Sequence, residues 1–92
     1  MKPIHPGRIL KREMDARGIS ANKLAIALRV PSGRITQITN GKRGISAETA
    51  IRLSRYFGNS ARFWMNLQAR YALAKTELEI GQKINAEVEE AA

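Results

Sequence analysis

The chain has 92 residues and no cysteine, a length that holds one compact domain with a single core, and a composition that excludes disulfides and thiolate metal sites. Its longest strictly apolar run, Leu24 to Leu28, falls far short of the roughly 20 residues of a membrane span, and the opening MKPIHPGR has no apolar signal region, so a cytoplasmic chain with no membrane partner is expected. The formal charge of +8 is uneven: fifteen of the 16 Lys and Arg, but only Glu13, Asp15 and Glu48 among the acids, fall in residues 1–75, leaving +12 there and −4 in residues 76–92.

Apolar spacing read against Gly and Pro punctuation predicts five helices and no strand, an all-α domain over residues 1–75 followed by an acidic tail over residues 76–92. The first helix spans about Pro6 to Arg17, buries Ile9, Leu10 and Met14, and stops at Gly18, a residue free to turn left-handed. The second starts from an N-cap at Ser20 and runs to about Leu28 with Leu24, Ala25 and Leu28 inward. The third occupies about Ser32 to Asn40 with Ile35 and Ile38 inward. The fourth starts at the cap Ser46, buries Ala50, Leu53 and Phe57, and ends at Gly58. The fifth is capped by Ser60 and runs at least to Ala74, with Phe63, Leu67 and Ala74 along one stripe. Beyond it, Ile80, Ile84 and Val88 keep a weak helical spacing in an acidic, Ala-rich segment that fits a loose helix or a frayed tail equally.

The stretch VPSGRITQITNGKR, residues 30–43, carries the functional signal. At about 100° per residue, Ile35 and Ile38 set the core direction, and Gly33, Gln37 and Asn40 lie opposite, flanked by Thr36 and Arg34. A helix lying on water gains nothing from Ser and Gly at its start, whereas one entering the major groove of a duplex needs a narrow tip. Gln37 and Arg34 have donors suited to adenine and guanine edges respectively, and Ser32 and Thr36 add hydroxyls, so Ser32, Gly33, Arg34, Thr36 and Gln37 are the candidate base readers. Asn40, Lys42 and Arg43 follow, where a chain turning on Gly41 and Gly44 passes the phosphates, and Asn22 and Lys23 face a phosphate from the start of the second helix. The plain reading of each residue alone is a turn and a solvated surface; the helix-turn-helix spacing joins them into one docking surface. A basic body agrees, since it attracts polyanions and releases their counterions.

The stretch SANKLAIALRVPSGRITQITNGKRG resembles the helix-turn-helix of the phage repressor and Cro group, with Leu24, Ala25, Leu28, Val30, Ile35 and Ile38 at its buried positions. More narrowly, HPGRIL (residues 5–10), VPSGRITQITNGKRGISAETAIRLSRYFG (30–58) and FWMNLQARYAL (63–73) resemble the HigA antitoxin family. That resemblance implies a compact five-helix, lambda-repressor-like domain that binds double-stranded operator DNA as a homodimer, represses its own operon and neutralises a HigB-type ribonuclease toxin by direct binding. Two positions depart from the wider group. Arg29 stands where a turn glycine is usual, which implies a left-handed non-glycine residue or a slightly different turn, at a cost of about 1 kcal/mol. Ala21 replaces a glutamine that commonly binds phosphate, so Asn22 or Lys23 takes that part.

Phe63, Trp64, Met65 and Leu67 are too densely apolar for one stripe. With Phe63 and Leu67 facing the core, Trp64, Gln68 and Tyr71 form an adjacent band and are the candidate dimer interface, or else cap the edge of the same core. His5, the single histidine, has no second ligand near it in sequence, and its place before Pro6 and Gly7 fits the start of a helix; no metal, cofactor or catalytic residue is expected. Ser20, Ser46 and Ser60 all sit at caps, so none is a nucleophile candidate and the chain is not expected to be an enzyme. Besides the antitoxin, a free-standing repressor with no toxin partner fits the domain equally. A cationic module for RNA or membrane fits less well, because the five aromatic residues do not fall on the outward face of the third helix for base stacking and no helix sets Lys or Arg opposite a large apolar face.

Overall fold

Serine hydroxyls start three of the five helices. The computed structural model describes residues 2–91, which form α1 (Pro6–Arg17), α2 (Ala21–Leu28), α3 (Arg34–Thr39), α4 (Ala47–Phe57) and α5 (Ala61–Glu87), with no strand among the described residues. Ser20 accepts the Lys23 N–H at 3.2 Å, Ser46 that of Thr49 at 3.3 Å and Ser60 that of Phe63 at 3.0 Å, each satisfying one orphan donor of a first turn. Gly18 (φ 64°) and Gly58 (φ 77°) close α1 and α4 in the left-handed region. Arg29 does the same for α2 at φ 57°, and among the described residues it is the one non-glycine with positive φ. The Val30 N–H then reaches back to the Ala25 carbonyl at 3.0 Å, which completes a Schellman ending despite the missing glycine.

The core draws on all five helices: Leu10, Leu24, Ile35, Ile38, Leu53 and Trp64 are fully buried, with Met14, Ala25, Leu28, Ile45 and Ala50 around them. α1 meets α3 at backbone distance. A Cβ on Gly7 would fall 1.9 Å from the Ile38 carbonyl oxygen, so no side chain fits at that crossing. α3 begins at Arg34, two residues later than its apolar spacing predicts, because Ser32 and Gly33 belong to the turn that leads into it.

α5 corrects the sequence reading. Phe63, expected inward, is 38% exposed, while Trp64 is fully buried. The indole is the largest apolar group available to the shared core, and its polar edge is satisfied: Nε1 donates to Asn59 Oδ1 at 2.9 Å. Phe63 and Phe57 then pack about it, with ring centroids 5.0 and 6.0 Å from the indole. Leu67 and Ala74 of the expected stripe stay half-buried, Leu67 against the core, so the inward face is shifted toward Trp64, Gln68 and Tyr71 and Phe63 alone leaves it. It also runs unbroken past residue 75 to Glu87, 27 residues in all, a rod of about 40 Å. Its far half makes the molecule long, 52 × 22 × 22 Å, with a radius of gyration of 15.8 Å where a compact chain of this length has about 12 Å. Leu73, Leu78, Ile80 and Ile84 are exposed along this half.

Candidate nucleic-acid interface

α2, its left-handed ending at Arg29 and α3 form a helix-turn-helix. Pro31, Ser32 and Gly33 cross the turn, and the Arg34 N–H closes it on the Pro31 carbonyl at 3.0 Å. With Ile35 and Ile38 fully buried, the opposite side of α3 is open: Ser32, Gly33, Thr36, Gln37 and Asn40 are all exposed. Gly33 adopts φ −84°, ψ −7°, ordinary right-handed backbone, and a Cβ built there would meet nothing within 4 Å. The fold itself therefore has no need of a glycine at this position. Its bareness matters only to something that approaches from outside.

Arg34 stands apart from the other candidate base readers. It lies about 70° from the core direction, on the flank of α3 and not on the open face. Its side chain is half-buried and its Nη1 donates to Thr49 Oγ1 at 3.4 Å, toward α4. Thr49 is itself buried and joined to Ser46 Oγ at 3.2 Å, so Arg34 is drawn to the cap of α4.

After α3 the chain hooks back. Gly41 turns left-handed (φ 76°), and the N–H groups of Lys42 and Arg43 converge on the Gln37 carbonyl at 2.9 and 3.2 Å, filling an acceptor that the end of a short helix leaves open. The hook carries Arg43 alongside Gln37, and Arg43 Nε donates to Gln37 Oε1 at 2.8 Å. Lys42 and Arg43 are exposed, as are Asn22 and Lys23 at the start of α2. The ion pairs among the described residues, Lys11–Asp15, Arg52–Glu48 and Lys75–Glu79, use none of these cations. Their charge faces outward uncompensated.

The hook is held from below by residues whose part was not legible beforehand. Gln68 Oε1 accepts the Ile45 N–H at 2.7 Å, and a Cβ on Gly44 would lie 2.8 Å from that same oxygen, so α5 clamps the segment joining the hook to α4. Arg52 Nη1 donates to the Leu28 carbonyl at 2.8 Å and fixes the end of α2. His5 is the N-cap of α1, its Nδ1 accepting the Gly7 N–H at 2.9 Å. Its ring lies edge-on to Tyr71 at 4.7 Å and faces Gly41. Burial lowers the His5 pKa, opposed by an interaction with the Arg43 backbone.

These contacts correct the expected interface band. Trp64 is sealed in the core, Gln68 spends its carbonyl oxygen on Ile45, and Tyr71 is half-buried against His5. All three face the body: Trp64 fills the core, while Gln68 through Ile45 and Tyr71 through His5 support the hook, so they present no aromatic patch.

The comparisons with known proteins agree with this geometry. A family model described as helix-turn-helix matches residues 10–64. The chain is 49% identical over 78 residues to virulence-associated protein I of Dichelobacter nodosus, covering 84% of this chain and 72% of that protein. It superposes on the Pseudomonas aeruginosa antitoxin HigA, solved with the higBA promoter, with a TM-score of 0.96 and 47% identity over 99% of this chain and 100% of that one. An addiction module antidote protein of a HigA family from Coxiella burnetii gives a TM-score of 0.95 and 44% identity, over 99% and 100% of the two chains. No described helix is long and apolar enough to cross a membrane. With its helix-turn-helix, its long fifth helix and the close match along nearly its whole length, the chain belongs to the HigA family of antitoxins, a family of helix-turn-helix regulators and not of enzymes.

Proposed function

We propose that the protein binds double-stranded operator DNA as a homodimer, represses its own operon and neutralises a HigB-type ribonuclease toxin by direct binding. The observation that carries the DNA reading is the open face of α3, whose Ser32, Gly33, Thr36 and Gln37 are exposed while its two isoleucines are fully buried. Such a face enters a major groove end-first, with Asn22, Lys23, Asn40, Lys42 and Arg43 on the phosphates to either side. The relative solved with its promoter supports the same reading.

A six-residue helix reads few bases, so useful specificity calls for two copies about 34 Å apart on successive major grooves. Leu73, Ile80 and Ile84 share one side of the free half of α5 and give such a pairing an apolar surface outside the DNA face. The toxin part rests on family membership. A mobility-shift assay on the DNA upstream of the coding sequence, run beside a pull-down from cells carrying the native operon, tests both parts. Retardation of that DNA over random duplex and copurification of a small basic protein are expected. Retardation without a copurifying partner supports a free-standing repressor, and no retardation at moderate salt overturns the proposal.

A further inference from the structure

Gln37 is coupled before any DNA arrives. Its Oε1 accepts Arg43 Nε–H at 2.8 Å, and its backbone carbonyl takes the N–H groups of Lys42 and Arg43. The backbone bonds fix where the Arg43 side chain starts, and the side-chain bond fixes which way the Gln37 amide faces. Chemistry alone settles that orientation, because a guanidinium has only donors and a flipped amide would set N–H against N–H. The amide oxygen thus points at Arg43 and the NH₂ points away.

A free glutamine reads adenine with both ends of its amide, donating to N7 and accepting from N6–H. In Gln37 the accepting end is engaged, and its remaining lone pair lies beside a positive guanidinium that disfavours a further N–H dipole. What Gln37 and Arg43 present together is donors alone: the Gln37 NH₂ and the guanidinium nitrogens not bonded to Gln37. Among base edges in the major groove, the one offering two adjacent acceptors and no donor is that of guanine, at N7 and O6. We propose that Gln37 and Arg43 form one reading unit that selects guanine, and that Arg43 determines base specificity instead of serving only as a phosphate anchor. This rests on the operator-binding reading above. It moves the guanine contact from Arg34, which is drawn to Thr49, to the far end of α3.

The test is selection from a randomised duplex library with the full-length protein and the Arg43→Ala and Arg43→Met variants, followed by titration of single-base variants of the selected site. Arg43 is exposed, so both variants are expected to keep the parent melting temperature and helical circular dichroism. The parent should prefer guanine at one position of each half-site. Replacing that guanine by 7-deazaguanine, which lacks the N7 acceptor, should weaken parent binding roughly tenfold, within the range of a bidentate base contact. Freed from Arg43, Gln37 can use its whole amide, so both variants should shift preference at that position from guanine toward adenine. If they instead weaken every duplex alike and keep the parent preference at every position, Arg43 is a phosphate contact and the coupling is refuted. A parent that selects no sequence overturns the operator-binding reading and this inference with it.

Discussion

Gly33→Ala separates what the fold needs from what the duplex needs. The backbone at Gly33 has φ −84° and ψ −7°, which alanine adopts without strain, and the added methyl meets no protein atom within 4 Å. Losing a glycine's freedom in the unfolded chain stabilises a protein by about 0.4–1 kcal/mol when the folded site tolerates the change. For a domain of this size that raises the melting temperature by about 2–8 °C. On DNA the proposed approach of α3 reverses the expected effect, since the methyl would occupy the gap between the start of α3 and the base edges. An overpacked contact costs about 1–3 kcal/mol, or roughly 5- to 150-fold in affinity. Thermal melting by circular dichroism and fluorescence-anisotropy titration on the selected operator, with the same preparation, measure both. A variant that melts higher and binds the operator as tightly as the parent refutes the end-first approach of α3.

Other substitutions probe separate layers of the molecule. Lys42→Ala should weaken specific and random duplexes alike and lower the slope of log affinity against log salt by about one, as measured by titration at several salt concentrations. Arg29→Gly relieves a left-handed non-glycine residue (φ 57°) and should stabilise the fold by about 1 kcal/mol in urea unfolding. Gln68→Ala leaves the Ile45 N–H without its partner and should cost about 1–3 kcal/mol in the same assay. His5 has a pKa lowered below its ordinary 6.5 by burial, so the unfolded chain binds the extra proton more readily. Its contribution is present in full above pH 6.5 and is lost as the pH falls through the lowered value; His5→Ala should flatten that part of the stability curve and remove an N-cap worth about 1 kcal/mol.

What the sequence made legible were features with local causes. The serine caps, the glycine stops and the inward pairs Ile35/Ile38 and Ala50/Leu53 depend on spacing within one helix, and each appears where spacing puts it. The left-handed Arg29 was legible only through the resemblance, because it stands where the phage repressor and Cro group usually has a turn glycine. Less legible was anything set between helices. Whether Phe63 or Trp64 faces inward is decided by how α5 seats on α4 and by the partner that Asn59 offers the indole, and neither is a property of the FWMNL stretch alone. The pairing of Arg43 with Gln37 was hidden for the same reason, since it exists only because Gly41 turns the chain back. Gly44 did carry a signal: a glycine beside a cation run marks a close approach as well as a turn, and the group approaching is Gln68 from 24 positions further along the chain.

The seating of α3 follows from its length. Six residues make fewer than two helical turns, too few for a helix to persist on its own, because nucleation costs more than so few bonds return. Its order is borrowed from neighbours on three sides. Gly7 lets α1 press against the Ile38 carbonyl, Arg52 pins the end of α2 that leads into the turn, and Gln68 holds the segment that leaves the hook. None of these residues lies on the open face, yet each fixes a coordinate of the face that does. A short helix seated in this way can expose small and polar residues along its outer side, since its stability does not depend on them. Ser32, Gly33, Thr36 and Gln37 are thus free of folding duty, and their identities are left to whatever the face binds.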